Sequence, residues 1–148
     1  MKYKFLEHTA DVKFIVHGKT LKSIFENSVL AISEIISKDE KIENSITKRF
    51  KISGRDYEEL LYSFIDEVIY LLDAENFVPS KAEVKLEKKN RNGSYNLRSK
   101  GKIILRAIIF GDKTGNYKNL KGIKSATYSE MYIKKKFDKW EAQVVVDV

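Results

Sequence analysis

Cysteine is absent from the chain. Disulfide scaffolds, thiolate zinc sites and cysteine nucleophiles are therefore excluded together, and a reducing compartment is the natural expectation. Histidine is scarce, with only His8 and His17. No serine stands in a nucleophile-elbow context and no glycine-rich phosphate loop occurs, so few groups remain for nucleophile and base, which argues against an enzyme. No segment approaches the about 18 apolar residues of a membrane span. The opening Met1-Lys2-Tyr3-Lys4-Phe5-Leu6 is too short and too interrupted by charge for a signal peptide, so a cytoplasmic protein is expected. Internal repeats, low-complexity tracts and composition breaks are also missing, which leaves one domain spanning residues 1–148 as the expectation. With 43% hydrophobic residues, that length can bury a core without staples.

What is present is positive charge, at a formal +7. Lysines that neutralise phosphates supply most non-specific affinity for nucleic acid. Here, however, the lysines are strewn along the chain with acidic residues between them, and no aromatic-basic stacking motif accompanies them, so they read as a solvated surface. The densest runs, Lys88-Lys89 with Arg91 and Lys134-Lys135-Lys136, read as hairpin ends where charge discourages edge pairing.

Apolar periodicity mixes two helical segments with several alternating ones, which predicts an α+β fold: two layers, a mostly antiparallel or mixed sheet and two main helices. The first helix is expected from an N-cap at Thr20 to about Ser37, on the stripe Leu21, Ile24, Phe25, Val29, Ile32 and Ile36. The second is expected from Asp56, with Glu59 reaching back as in a capping box, to about Ala74. The opposite face of that helix, with Glu58, Glu59, Asp66, Glu67 and Asp73, reads as solvated surface. Strands are expected at 2–7, 11–18, 46–53, 77–89, 94–110, 127–136 and 139–147, with Asn92-Gly93 as a type I′ hairpin turn and a loop from Gly111 to Gly122.

In the last strand Trp140, Ala142, Val144, Val146 and Val148 share one face, while Glu141, Gln143, Val145 and Asp147 share the other. Asp147 next to the terminal carboxylate of Val148 concentrates negative charge at the end of a strand expected to be well buried. A cation would relieve that repulsion, and hard oxygen donors suit calcium or magnesium better than a soft metal.

Three stretches carry a family resemblance: Phe5-Leu6-Glu7-His8-Thr9-Ala10-Asp11-Val12 followed by Gly18, Gly122-Ile123-Lys124-Ser125-Ala126-Thr127-Tyr128, and Trp140 to Val145-Val146-Asp147-Val148. Their order and positions resemble the archease family over nearly the whole chain. The resemblance implies a non-catalytic protein cofactor of the RtcB-type RNA ligase, which seals tRNA halves and other RNA breaks with GTP. The helper promotes guanylylation of the ligase and so takes part in tRNA splicing and RNA repair, meeting RNA through the ligase. It further implies a divalent metal, calcium foremost with magnesium or manganese as alternatives, on the residues matching Asp11, Asp147 and Val148. His8, Lys124, Tyr128 and Asp112 become candidates for partner contact or for support of those ligands. The chain departs from the family pattern at Ser129, where a histidine is common. It departs again at Gly111-Asp112, where a glycine-glutamate pair is usual and a histidine belongs in the same loop.

Single residues admit plainer roles. Asp11 alone suits a turn position accepting backbone hydrogen bonds, and His17, expected mid-strand, suits a structural role. Two other functions compete with ligase activation: a basic RNA-binding module acting without the ligase, and a metal-dependent hydrolase, which needs a base that the sequence does not supply.

Overall fold

The structure, a computed structural model, describes residues 1–6, 11–89 and 101–148. His8, Arg91, the Asn92-Gly93 turn and positions 94–100 of the expected strand 94–110 lie outside the described residues. The elements in chain order are β1 (Tyr3–Leu6), β2 (Asp11–Gly18), α1 (Leu21–Ser37), β3 (Ile46–Gly54), α2 (Tyr57–Glu75), β4 (Phe77–Lys89), β5 (Lys102–Lys113), β6 (Ser125–Ala126), β7 (Tyr132–Lys136) and β8 (Lys139–Asp147). The α+β expectation holds, with two helices and antiparallel pairing between the described strands. The strands divide into two sheets, a separation the sequence pattern did not reveal. One runs β1-β2-β8-β6, with β7 also on β8, and the other runs β3-β5-β4.

Both helices begin where side-chain oxygens meet the first free N–H groups. Thr20 accepts from Ser23 N at 3.2 Å, and Ser23 Oγ accepts in return from Thr20 N at 3.0 Å, a reciprocal cap. Asp56 Oδ1 accepts from Glu59 N at 2.8 Å. Glu59, expected to reach back to the cap, instead holds Arg55 Nε at 3.2 Å. Asn76 ends α2 in the left-handed conformation, φ 51°.

The helices fill the space between the sheets. α1 packs on β4 and β2, and α2 on β3, β4 and β6. Phe25 and Phe64 meet edge to face across the helix pair at 5.6 Å, and Phe50 from β3 tilts onto Phe64 at 5.8 Å. Phe14 and Val16 of β2 and Ala142, Val144 and Val146 of β8 are fully buried, which sets the inner face of the first sheet.

Two strand boundaries differ from expectation. β5 continues through Gly111, Asp112 and Lys113, where a loop was expected. Gly111 sits between Ile46 and Pro79 in the ladder, and a Cβ there would collide with the Val78 carbonyl oxygen and stand 2.7 Å from the Phe77 ring. That glycine is a point of close backbone approach inside a strand rather than a loop signal. The expected strand 127–136 begins only at Tyr132, because residues 127–131 leave the ladder between β6 and β7.

Candidate functional site: facing carboxylates on β2 and β8

β2 and β8 pair over their full length with Asp11 opposite Asp147, and β6 places Ser125 on the other side of Asp147. Residues directly opposite in an antiparallel pair project from the same face. The parity that buries Phe14 and Val144 inside therefore puts Asp11, Asp147 and Ser125 in one row on the outer face. Head and tail of the sequence meet here because β2 and β8 are neighbours in the sheet.

Asp147 is held at several points. Its Oδ2 accepts from Ser125 Oγ at 3.1 Å, and its main-chain oxygen accepts from Lys124 N at 2.8 Å. Two residues inward along β8, Thr127 Oγ1 donates to Val145 O at 2.8 Å, so the segment after β6 is pinned to the same strand. Asp11 and Asp147 are both partly exposed, while Val145 and Val146 beside Asp147 are fully buried. Lys13, the next outward residue of β2, is engaged by Glu130 at 3.2 Å. Val148 stands just beyond the strand and is 43% exposed.

The other expected residues are placed differently. Lys124 contributes its backbone N–H to Asp147, and the residue is exposed. Tyr128 stacks on Tyr62 of α2 at 4.1 Å with an interplanar angle of 5°. Burial first, then the charge of Glu59, raises its phenol pKa. Asp112 lies on β5 of the other sheet and is 6% exposed. Its carboxylate accepts from Lys113 N at 2.8 Å, Asn116 Nδ2 at 3.1 Å and Tyr117 OH at 2.8 Å. Those bonds, led by the Lys113 amide, hold its pKa below the ordinary carboxylate range. Asp112 thus clasps its own loop, and Tyr117 in turn accepts from Glu43 N at 2.9 Å.

His17 has the structural role expected of it. Glu141, 9% exposed, accepts from His17 Nε2–H at 3.1 Å and from Tyr132 OH at 2.7 Å, with Lys134 at 3.6 Å and Lys136 at 3.9 Å. The Tyr132 bond leads in lowering the Glu141 pKa, with His17 and the two lysines adding to it. Ser125 is the site residue that sequence reasoning did not single out. It lay within a quoted motif, but only the β6–β8 register shows that it touches Asp147.

The donor set fits a hard divalent cation in kind. Two carboxylates on adjacent strands supply two to four oxygens, and the main-chain oxygens of Val148 follow directly after Asp147. Calcium takes about six to eight such donors, often including water. Among the described residues, no group of three or more histidine, aspartate or glutamate side chains is placed to hold a metal.

The profile of the archease protein family (MTH1598/TM1083) matches residues 3–148. The chain belongs to the archease family. It is 33% identical to the archease of Methanosarcina acetivorans over 149 residues, covering 99% of this chain and 96% of that one. It is 35% identical to the archease of Pyrococcus furiosus over 150 residues, covering 99% of each. Among solved structures, the solution structure of Methanobacterium thermoautotrophicum protein 1598 superposes with a TM-score of 0.75 at 22% identity, covering 99% of both chains. The crystal structure of a Thermotoga maritima archease, described as a possible chaperone, superposes with a TM-score of 0.56 at 18% identity, covering 98% of this chain and 96% of that one. At these identities the structural likeness concerns the archease fold. No helix among the described residues is long and apolar enough to cross a membrane.

Proposed function

We propose that this archease is a non-catalytic activator of a GTP-dependent RtcB-type RNA ligase in tRNA splicing and RNA repair. It promotes guanylylation of the ligase with a divalent cation, calcium foremost, held by Asp11, Asp147 and the main-chain oxygens of Val148. The observation that carries this reading is the cross-strand opposition of Asp11 and Asp147, two like charges whose proximity favours an intervening cation. The description of the Thermotoga relative as a possible chaperone accords with a protein that acts on another protein.

Bound there, the cation supplies positive charge where phosphoryl transfer develops negative charge. The chain's own residues position it. Ser125 orients the Asp147 carboxylate, Lys124 N anchors the Asp147 main chain, and the β2–β8 ladder fixes the spacing of the pair. A site built on paired strands holds its geometry better than one on a loop.

The test is a guanylylation and turnover assay of the cognate ligase with and without this protein. Asp11→Asn and Asp147→Asn should each reduce stimulation to the level of ligase alone. Full stimulation by both variants would remove the acidic pair from the mechanism, and no stimulation by the wild-type protein would remove the ligase.

A further inference from the structure

Lysines that are scattered along the sequence converge on the outer face of β3-β5-β4. On that face Lys51, Arg106 and Lys85 stand directly opposite one another across the three strands. All three are exposed. Like charges side by side on a sheet destabilise it, so a row of three cations calls for an anion. Glu87 stands 3.6 Å from Arg106. The row lies in a shallow basin of about 830 Å³ to which Lys22, Arg49 and Lys81 add further positive charge, against the acidic Glu26 and Glu83. Glu26 accepts from Val84 N at 3.0 Å on the edge of β4 and lies 3.7 Å from Lys22, and Glu83 stands in the row of Arg49 with Ile108 between them.

Apolar surface lies among the cations. Ile108 separates Arg49 from Glu83, and Phe110 stands in the next row with Lys81 Nζ 5.2 Å from its ring centre. Rows on one face recur about every 6.7 Å along a strand and about 4.8 Å across it. An open sheet face with cations at that spacing and a ring among them matches a phosphate backbone carrying unpaired bases.

We propose that the open face of β3-β5-β4 binds single-stranded RNA directly, through its phosphates on Lys51, Arg106, Lys85, Arg49 and Lys81. This contact needs neither the acidic pair nor the ligase. It gives the protein its own hold on a polynucleotide through the sheet that does not carry Asp11 and Asp147.

The experiment is fluorescence anisotropy with a labelled oligouridylate, without ligase or divalent cation, at several salt concentrations. With five phosphate contacts, the wild-type log-log salt slope should be about −3.5, and removing three should bring it to about −1.4. The triple variant Lys51→Gln, Arg106→Gln, Lys85→Gln should weaken binding by tenfold or more at low salt. Lys134→Gln, Lys135→Gln, Lys136→Gln removes the same charge elsewhere and should retain wild-type affinity within twofold. The single variant Arg106→Gln, with an unchanged melting curve, should show a partial loss and guards against misfolding of the triple. Absence of wild-type binding at low salt overturns the proposal, as does equal loss in both triple variants. Tighter binding of polyglutamate than of oligouridylate overturns it in favour of an acidic protein partner. Because this assay contains neither the ligase nor a divalent cation, failure here leaves the ligase reading untouched.

Discussion

Replacing Asp147 by asparagine separates the charge of the acidic row from its shape. Asp11 and Asp147 are cross-strand partners, and Ser125 Oγ lies 3.1 Å from Asp147 Oδ2. Side chains of directly opposite residues stand about 5 Å apart. Two unit charges at that distance repel by about 3 kcal/mol at an effective dielectric of 20 and by about 1 kcal/mol in water. Both residues are partly exposed, so the repulsion falls between those limits, offset in part by the Ser125 bond. Asparagine keeps an oxygen for Ser125 and removes the charge, so without divalent cation the variant should be at least as stable as the wild type. Calcium at a hundred times its dissociation constant stabilises a one-site protein by about 2.7 kcal/mol. For a chain of this length that corresponds to a rise in Tm of about 10 °C. Thermal melts followed by circular dichroism, with chelator and across a calcium titration, should show that rise in the wild type and a flat response in Asp147→Asn. An equal calcium shift in both proteins would place the cation elsewhere and refute the reasoning.

The buried Glu141 makes stability pH-dependent in a defined direction. Its bonds to Tyr132 and His17, with Lys134 and Lys136 nearby, lower its folded pKa. The stabilisation is therefore complete above the unfolded value of about 4.3 and is lost as pH falls through the lower folded value. Glu141→Gln should cost about 1.5–3 kcal/mol at pH 7, in line with hydrogen bonds to a charged group. Denaturant titrations should show that gap closing below pH 4.5, and a gap unchanged from pH 7 to pH 3 would contradict the assignment. Gly111→Ala should destabilise by about 1–3 kcal/mol, the usual range for overpacking. The added methyl meets the Val78 carbonyl and the Phe77 ring. Chemical denaturation would detect it, and a neutral substitution would mean that β4 shifts freely beside β5.

Local structure was legible in the sequence wherever a side chain acts on its own neighbourhood. The apolar stripes and caps of α1 and α2 announced both helices, because Thr20 and Asp56 bond backbone N–H groups three residues ahead. Alternation also announced the two faces of β8, since successive side chains point to opposite sides of a strand. The pairing of the acidic motifs could be anticipated only through family resemblance. No local property of Asp11 or Asp147 states that β2 and β8 are adjacent in register. Ser125 was missed for the same reason, and Gly111 was misjudged because a glycine admitted for close packing looks, in one dimension, like a glycine admitted for a turn.

By itself, then, the sequence determined the α+β class, both helices, the two-faced terminal strand and membership in the archease family. These follow from short-range periodicity, capping chemistry and motif order. Only the tertiary structure decided that the strands form two sheets, that the two aspartates face each other, and that dispersed lysines and arginines form one cationic row. Each of these depends on cross-strand register, which sets contacts between residues tens of positions apart and is fixed by the packing of the whole core.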